Sequence, residues 1–138
     1  MWRLYALSSA IFAAAVAILG KKGLIGIDTT LATTIRAIIM AFFLIVVSLS
    51  LGKFSDFHGF DKRAVMLITG SAIAGALSWL CYFLALKTGA ATSVAVLDRL
   101  SIVFVLVFAF IFLGESLTFA KLLGVALMVG GALLVVWW

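Results

Sequence analysis

The stretch ATSVAVLDRLSIVFVLVFAFIFL, Ala91 to Leu113, decides the fold. At 1.5 Å per residue a helix of this length crosses a hydrocarbon core of about 30 Å. In lipid every backbone polar group must find its partner inside the segment, so the stretch is a helix and not a strand. It also carries an acid and a base side by side, Asp98 and Arg99, and any account of function has to explain them.

The rest of the chain follows the same pattern. A window of about 19 residues finds four further spans, Trp2 to Leu19, Thr29 to Leu51, Ala64 to Leu86 and Leu117 to Trp138. Of 138 residues, 67% are apolar, 11% are charged and none is proline, against roughly 45–50% apolar in an ordinary globular domain. The polar connections are too short to hold a soluble domain, so the expectation is an all-α membrane protein with five transmembrane helices in one domain, residues 1–138. The first span follows Arg3 and contains Ala13, Ala14 and Ala15, like a signal peptide. It runs on through Val16 to Leu19 and stops at Lys21 and Lys22, so it is read as retained.

Charge bounds the partners. The net charge is +5, but the basic residues are scattered in ones and twos, which points to anionic lipid headgroups and away from nucleic acid. The single Cys81 sits in an apolar run and is read as a small buried hydrophobe. No serine with a histidine and an acid at plausible geometry, no metal-ligand cluster and no glycine-rich phosphate loop is present, so neither an enzyme nor a cofactor is expected.

Five spans put the two ends on opposite sides. Arg3, Lys53, Lys62, Arg63 and Lys121 flank the side of the N-terminus, and Lys21, Lys22 and Lys87 flank the other. Five against three is a weak bias under the positive-inside rule, and it leaves insertion in both directions open. Trp2, Trp137 and Trp138 suit the headgroup layers, and Phe54, Phe57 and Phe60, with His58 among them, suit a loop lying on the membrane.

Two charges lie at matching depth. Arg36 and Asp98 are each seven residues into spans that start from the same side, roughly 10 Å below the surface. A charge at a span centre costs about 2.5–3.5 kcal/mol on insertion scales, which makes an Arg36–Asp98 pair between the second and fourth spans attractive. Arg99 points about 100° away from Asp98, toward the surface or a cavity. The bland reading is a structural pair plus a snorkelling arginine. The sharper one is a hydrated path suited to an anionic or zwitterionic group, lined also by Thr30, Thr33, Thr34, Ser93 and Ser101. Trp79 and Tyr82 are candidate cavity walls. Ser71 with Gly75, and Ala126 with Gly130, are spaced four apart as helix-packing surfaces.

The segments AAAVAILGKKGL (13–24), LATTIRAII (31–39), LSWLCYFLALKTGAATSVAVLDRLSIVF (77–104) and FLGESLTFAKLLGVALMVGGALL (112–134) together resemble an EamA domain. This is the repeat unit of the drug/metabolite transporter superfamily, and the likeness covers nearly the whole chain. The resemblance implies half of a ten-helix inverted-repeat transporter, in which two units face each other across a central cavity near the midplane. It implies a multi-pass protein of a bacterial or archaeal inner membrane that carries small metabolites or drugs, as an antiparallel, dual-topology homodimer working by alternating access. Similar small multidrug resistance proteins use an acid in the first span. This chain has none there, which leaves Asp98 as the candidate coupling residue. Pairing with a different five-span chain, a lipid-linked sugar flippase subunit and a non-transporting assembly subunit are the competing readings.

Asp98→Asn is expected to stop transport and leave assembly intact, as measured by flux in proteoliposomes beside size-exclusion chromatography. Loss of the folded assembly would instead make Asp98 structural.

Overall fold

A computed structural model of the chain describes residues 1–54 and 61–137. Its helices are α1 (Trp2–Gly23), α2 (Thr29–Ser50), α3 (Lys62–Thr88), α4 (Ala91–Asp98), α5 (Ser101–Leu113) and α6 (Phe119–Trp137), with no strand among the described residues. Five stretches are long and apolar enough to cross a membrane: α1, α2, α3, α6, and α4 with α5 taken together. Phe57, His58, Phe60 and Trp138 lie outside the described residues, and Phe54 is exposed.

The surface is apolar. Phe42, Phe43 and Phe112 stand 65–78% exposed, whereas a soluble monomer rarely exposes a large contiguous apolar patch. Facing lipid, these rings have the solvent they require. Cys81 is likewise exposed, contrary to its expected burial. Two residues beyond Trp79 on α3, it is turned about 200° away from that side chain.

The chain forms two compact units, one of Gly20–Lys87 and one of Met1–Leu19 with Thr88–Trp138. In the second of these, α4 and α6 pack on each other, and Val94 and Ala132 are buried. The fourth span, expected as one helix, is divided at Arg99 and Leu100. There the amides of Arg99 and Leu100 donate to Val96 O and Leu97 O at 3.1 and 3.0 Å. Those of Ile102 and Val103 donate to Arg99 O and Leu100 O at 3.1 and 3.0 Å. These are the three-residue steps of a 3₁₀ turn, which keep the backbone bonded while tightening the helix. Gly114 ends α5 at φ 66°, a left-handed turn open to glycine at no steric cost, and the amide of Glu115 donates back to Ala109 O.

The Gly20–Lys87 unit begins at the last turn of α1. Asp28 caps α2 by accepting the Leu31 amide at 2.9 Å. The Lys21 ammonium donates to Leu86 O at 2.6 Å, neutralising a carbonyl at the C-terminus of α3, where the helix dipole favours a cation. One residue earlier, a Cβ built on Gly20 would stand 2.9 Å from Cε1 of Phe83. Phe83 and Leu86 are both buried, at 4% and 0% exposure, so the ring has no room to swing away.

Gly20→Ala should therefore cost about 1–3 kcal/mol of stability, read from unfolding in mixed micelles, as overpacking does in a tight core. In a Phe83→Ala background the same change should be nearly neutral. An equal cost in both backgrounds would mean that the ring is not what glycine makes room for.

Candidate functional site

The Gly20–Lys87 unit holds a groove of about 550 Å³ between α2 and α3, open along one side. Its α2 wall is made by Thr30, Thr33, Thr34, Ala37 and Ala41, which recur at steps of three and four and so fall on one helix face. The α3 wall repeats that spacing with Ala72, Gly75, Ala76 and Trp79. Each face carries a stripe of small side chains, bordered by Met40 and Leu44 on α2 and by Trp79 and Leu80 on α3, and neither carries an acid. The groove exists because two small-residue stripes are set opposite each other without closing.

Arg36 lines this groove. Its guanidinium carbon lies 3.7 Å from the centroid of the Trp79 ring and 5.4 Å from that of Phe83. It has no carboxylate and no hydrogen-bond acceptor among the described residues. The partner expected for it on grounds of depth was Asp98; the contact it makes is with aromatic faces. A cation over an indole gains about 0.5–2 kcal/mol, which offsets part of the about 2.5–3.5 kcal/mol that a charge costs inside a membrane and leaves the rest uncompensated.

The ring platform is itself ordered. Trp79 and Tyr82 meet edge to face at 5.6 Å, Tyr82 and Phe83 do so at 6.1 Å, and Trp79 and Phe83 are tilted at 5.8 Å. Such pairs contribute about 0.5–1.5 kcal/mol beyond the area they bury. Positions 79, 82 and 83 are three and four apart, so α3 places all three rings on one face. Of these, Trp79 lines the groove, while Tyr82, offered as a second wall, stands behind it as support. The sequence reading passes over Phe83, although its spacing from Trp79 was the signal that could have found it.

The α2 hydroxyls are partly committed. Thr33 donates to Thr29 O at 2.8 Å and Thr34 to Thr30 O at 2.9 Å, so within the groove their oxygens act as acceptors. Gly75 lines the groove, and a Cβ there would meet nothing within 4 Å in this chain. Ser71 on α3 is exposed. Ala126 and Gly130 on α6 are exposed as well, and a Cβ at Gly130 also meets nothing within 4 Å. The close approach that glycine does permit is at Gly20, which four-residue spacing does not reveal.

The other intramembrane charges belong to the second unit. Asp98 is the last residue of α4, exposed and without an ion-pair partner among the described residues. Arg99 follows at the break and edges a cavity of about 140 Å³ with Leu100, Met128 and Ala132. Ser93 is half-buried and Ser101 opens α5. The ion pair of this unit is Lys121 with Glu115 at 3.4 Å, solvent-exposed beside the Gly114 turn and worth about 0.2–1 kcal/mol.

Five helical stretches long and apolar enough to cross a membrane define the class of this chain as a polytopic membrane protein. The chain belongs to the EamA-like transporter family, whose model matches residues 1–137. It is also 40% identical over 133 residues to a Sinorhizobium protein described as an uncharacterized transporter in the cobO 3' region, an alignment covering 96% of this chain and 94% of that one. No solved structure matches it. The protein is thus a multi-pass membrane transporter, and its family points to transport rather than catalysis.

Gly75→Leu should fill the groove without disturbing the fold, because the space beside it is empty. Transport in proteoliposomes should fall at least tenfold with an unchanged thermal melt, and unimpaired flux would remove the groove from the path.

Proposed function

We propose that the protein moves small organic solutes as an antiparallel homodimer, two copies inserted in opposite directions, by alternating access. The α2–α3 groove of each copy forms one wall of the path. The observation that carries this reading is the groove itself: two helices line it, one side is open, and a cation without an acid lies within it. A solute path needs a further wall, and in inverted-repeat transporters the second repeat supplies it at the midplane.

The charge distribution supports two-way insertion. Five basic residues against three at the two membrane faces hold neither orientation firmly. A second copy turned over would set another Arg36 groove at a like depth below the opposite membrane surface, so that the path meets a cation from either side. Asp98 and Arg99 enter the proposal as further polar residues of the path, Asp98 as the coupling carboxylate, on the sequence argument of depth.

A fluorescent-protein reporter and an alkaline-phosphatase reporter, fused in turn after Trp138 and expressed at low level, test the arrangement. Signal from both is expected. Signal from one alone would overturn dual topology and favour a fixed orientation beside a different partner chain.

A further inference from the structure

We infer that the α2–α3 groove binds an organic anion, a carboxylate or phosphate held by Arg36 with an apolar body lying along the Ala37, Ala72 and Ala76 stripe against Trp79. This deepens the proposed transport reading by naming the class of solute, and it rests on the groove being the solute's site.

The geometry gives the reason. The Arg36 guanidinium carbon lies over the Trp79 ring at 3.7 Å and over the Phe83 ring at 5.4 Å, contacts with aromatic faces and not with an oxygen acceptor. Its N–H donors radiate in the guanidinium plane and find no acceptor among the described residues, while arginine stays charged at every accessible pH. The ring contacts thus hold the cation while no oxygen among the described residues takes up its fork of donors, which is the form that pairs two oxygens of one anion.

The groove contains no counter-charge. No aspartate or glutamate lines it, so a cationic ligand would meet repulsion from Arg36 and no compensation. A neutral ligand would leave the intramembrane charge as costly as before. An anion alone removes that cost. The remaining lining of alanine, methionine and leucine suits an apolar body, and about 550 Å³ falls in the range of small-molecule sites. The Thr33 and Thr34 oxygens add acceptors for a hydroxyl or amide on the same ligand. An anionic lipid headgroup has the same chemistry as a free organic acid, so the two sources have to be separated by experiment.

The test is equilibrium binding of radiolabelled phenylacetate to the full chain in phosphatidylcholine nanodiscs. Unlabelled phenylacetate is expected to compete at least tenfold better than phenylacetamide, its uncharged isostere, and phenethylamine should not compete. Arg36→Gln should weaken binding at least tenfold, and Arg36→Lys, which keeps the charge without the stacked fork, should lie between. Equal competition by acid and amide, preference for the amine, or no specific binding would each overturn the assignment, and all three are read on the wild-type chain. Nanodiscs with half phosphatidylglycerol separate the sources. A tenfold loss of phenylacetate binding there makes a headgroup phosphate the anion on Arg36, and no loss makes it a soluble acid. Binding requires neither flux nor two-way insertion. Preference for the amine would therefore leave the transport path standing, while a fixed orientation would leave the anion site standing.

Discussion

The Gly20–Lys87 unit turns on the close approach of Gly20 to Phe83. A side chain at position 20 would hold the Phe83 ring away from the last turn of α1; its absence lets the ring bury itself there, 2.9 Å from where a Cβ would stand. Lys21 fixes the same corner through the Leu86 carbonyl, at a helix C-terminus whose carbonyls have no partner within the helix. Phe83 so placed supports Trp79 and Tyr82, and Trp79 carries Arg36. The position of the charge is therefore set by a hydrogen atom on Gly20, through three rings.

This order of dependence explains how an intramembrane arginine is held without an acid. A carboxylate at hydrogen-bond distance would lower the cost of the charge further, but it would also occupy the donors that a solute needs. Aromatic faces stabilise the cation without an oxygen acceptor taking up its N–H donors. The chain thus keeps a cation inside a membrane and still leaves it able to recognise something else.

Much of the architecture is readable in the sequence because lipid imposes a simple rule: an uninterrupted apolar run of sufficient length must be a helix. The ends of α2 and α6 fall within two residues of expectation, and Asp28 marks the start of α2 as a cap. The position of Arg36 along α2 is readable as well, since it is a count of residues. Its neighbour is not, because depth leaves rotation about each helix axis undetermined, and the same count that suggested Asp98 is silent about Trp79. The three- and four-residue spacing of positions 79, 82 and 83 carries that information, as does the paired small-residue stripe of α2 and α3. The break in the fourth span has no signal of its own: Arg99 and Leu100 are neither glycine nor proline.

That ordinary pair of residues gives the fourth span an adjustable length. With ψ near −14° at Arg99 and −13° at Leu100, the backbone stands about 30° from a regular α-helix at each, and no ring or missing Cβ obliges it to stay there. A 3₁₀ residue rises about 2.0 Å and an α residue about 1.5 Å, so resetting two of them shortens the span by about 1 Å. It also unwinds about 40° of twist between Ala91–Asp98 and Ser101–Leu113. A bilayer that thins or thickens by that amount can thus be met by turning one half-helix against the other, with every amide still bonded and Asp98 and Arg99 riding at the pivot.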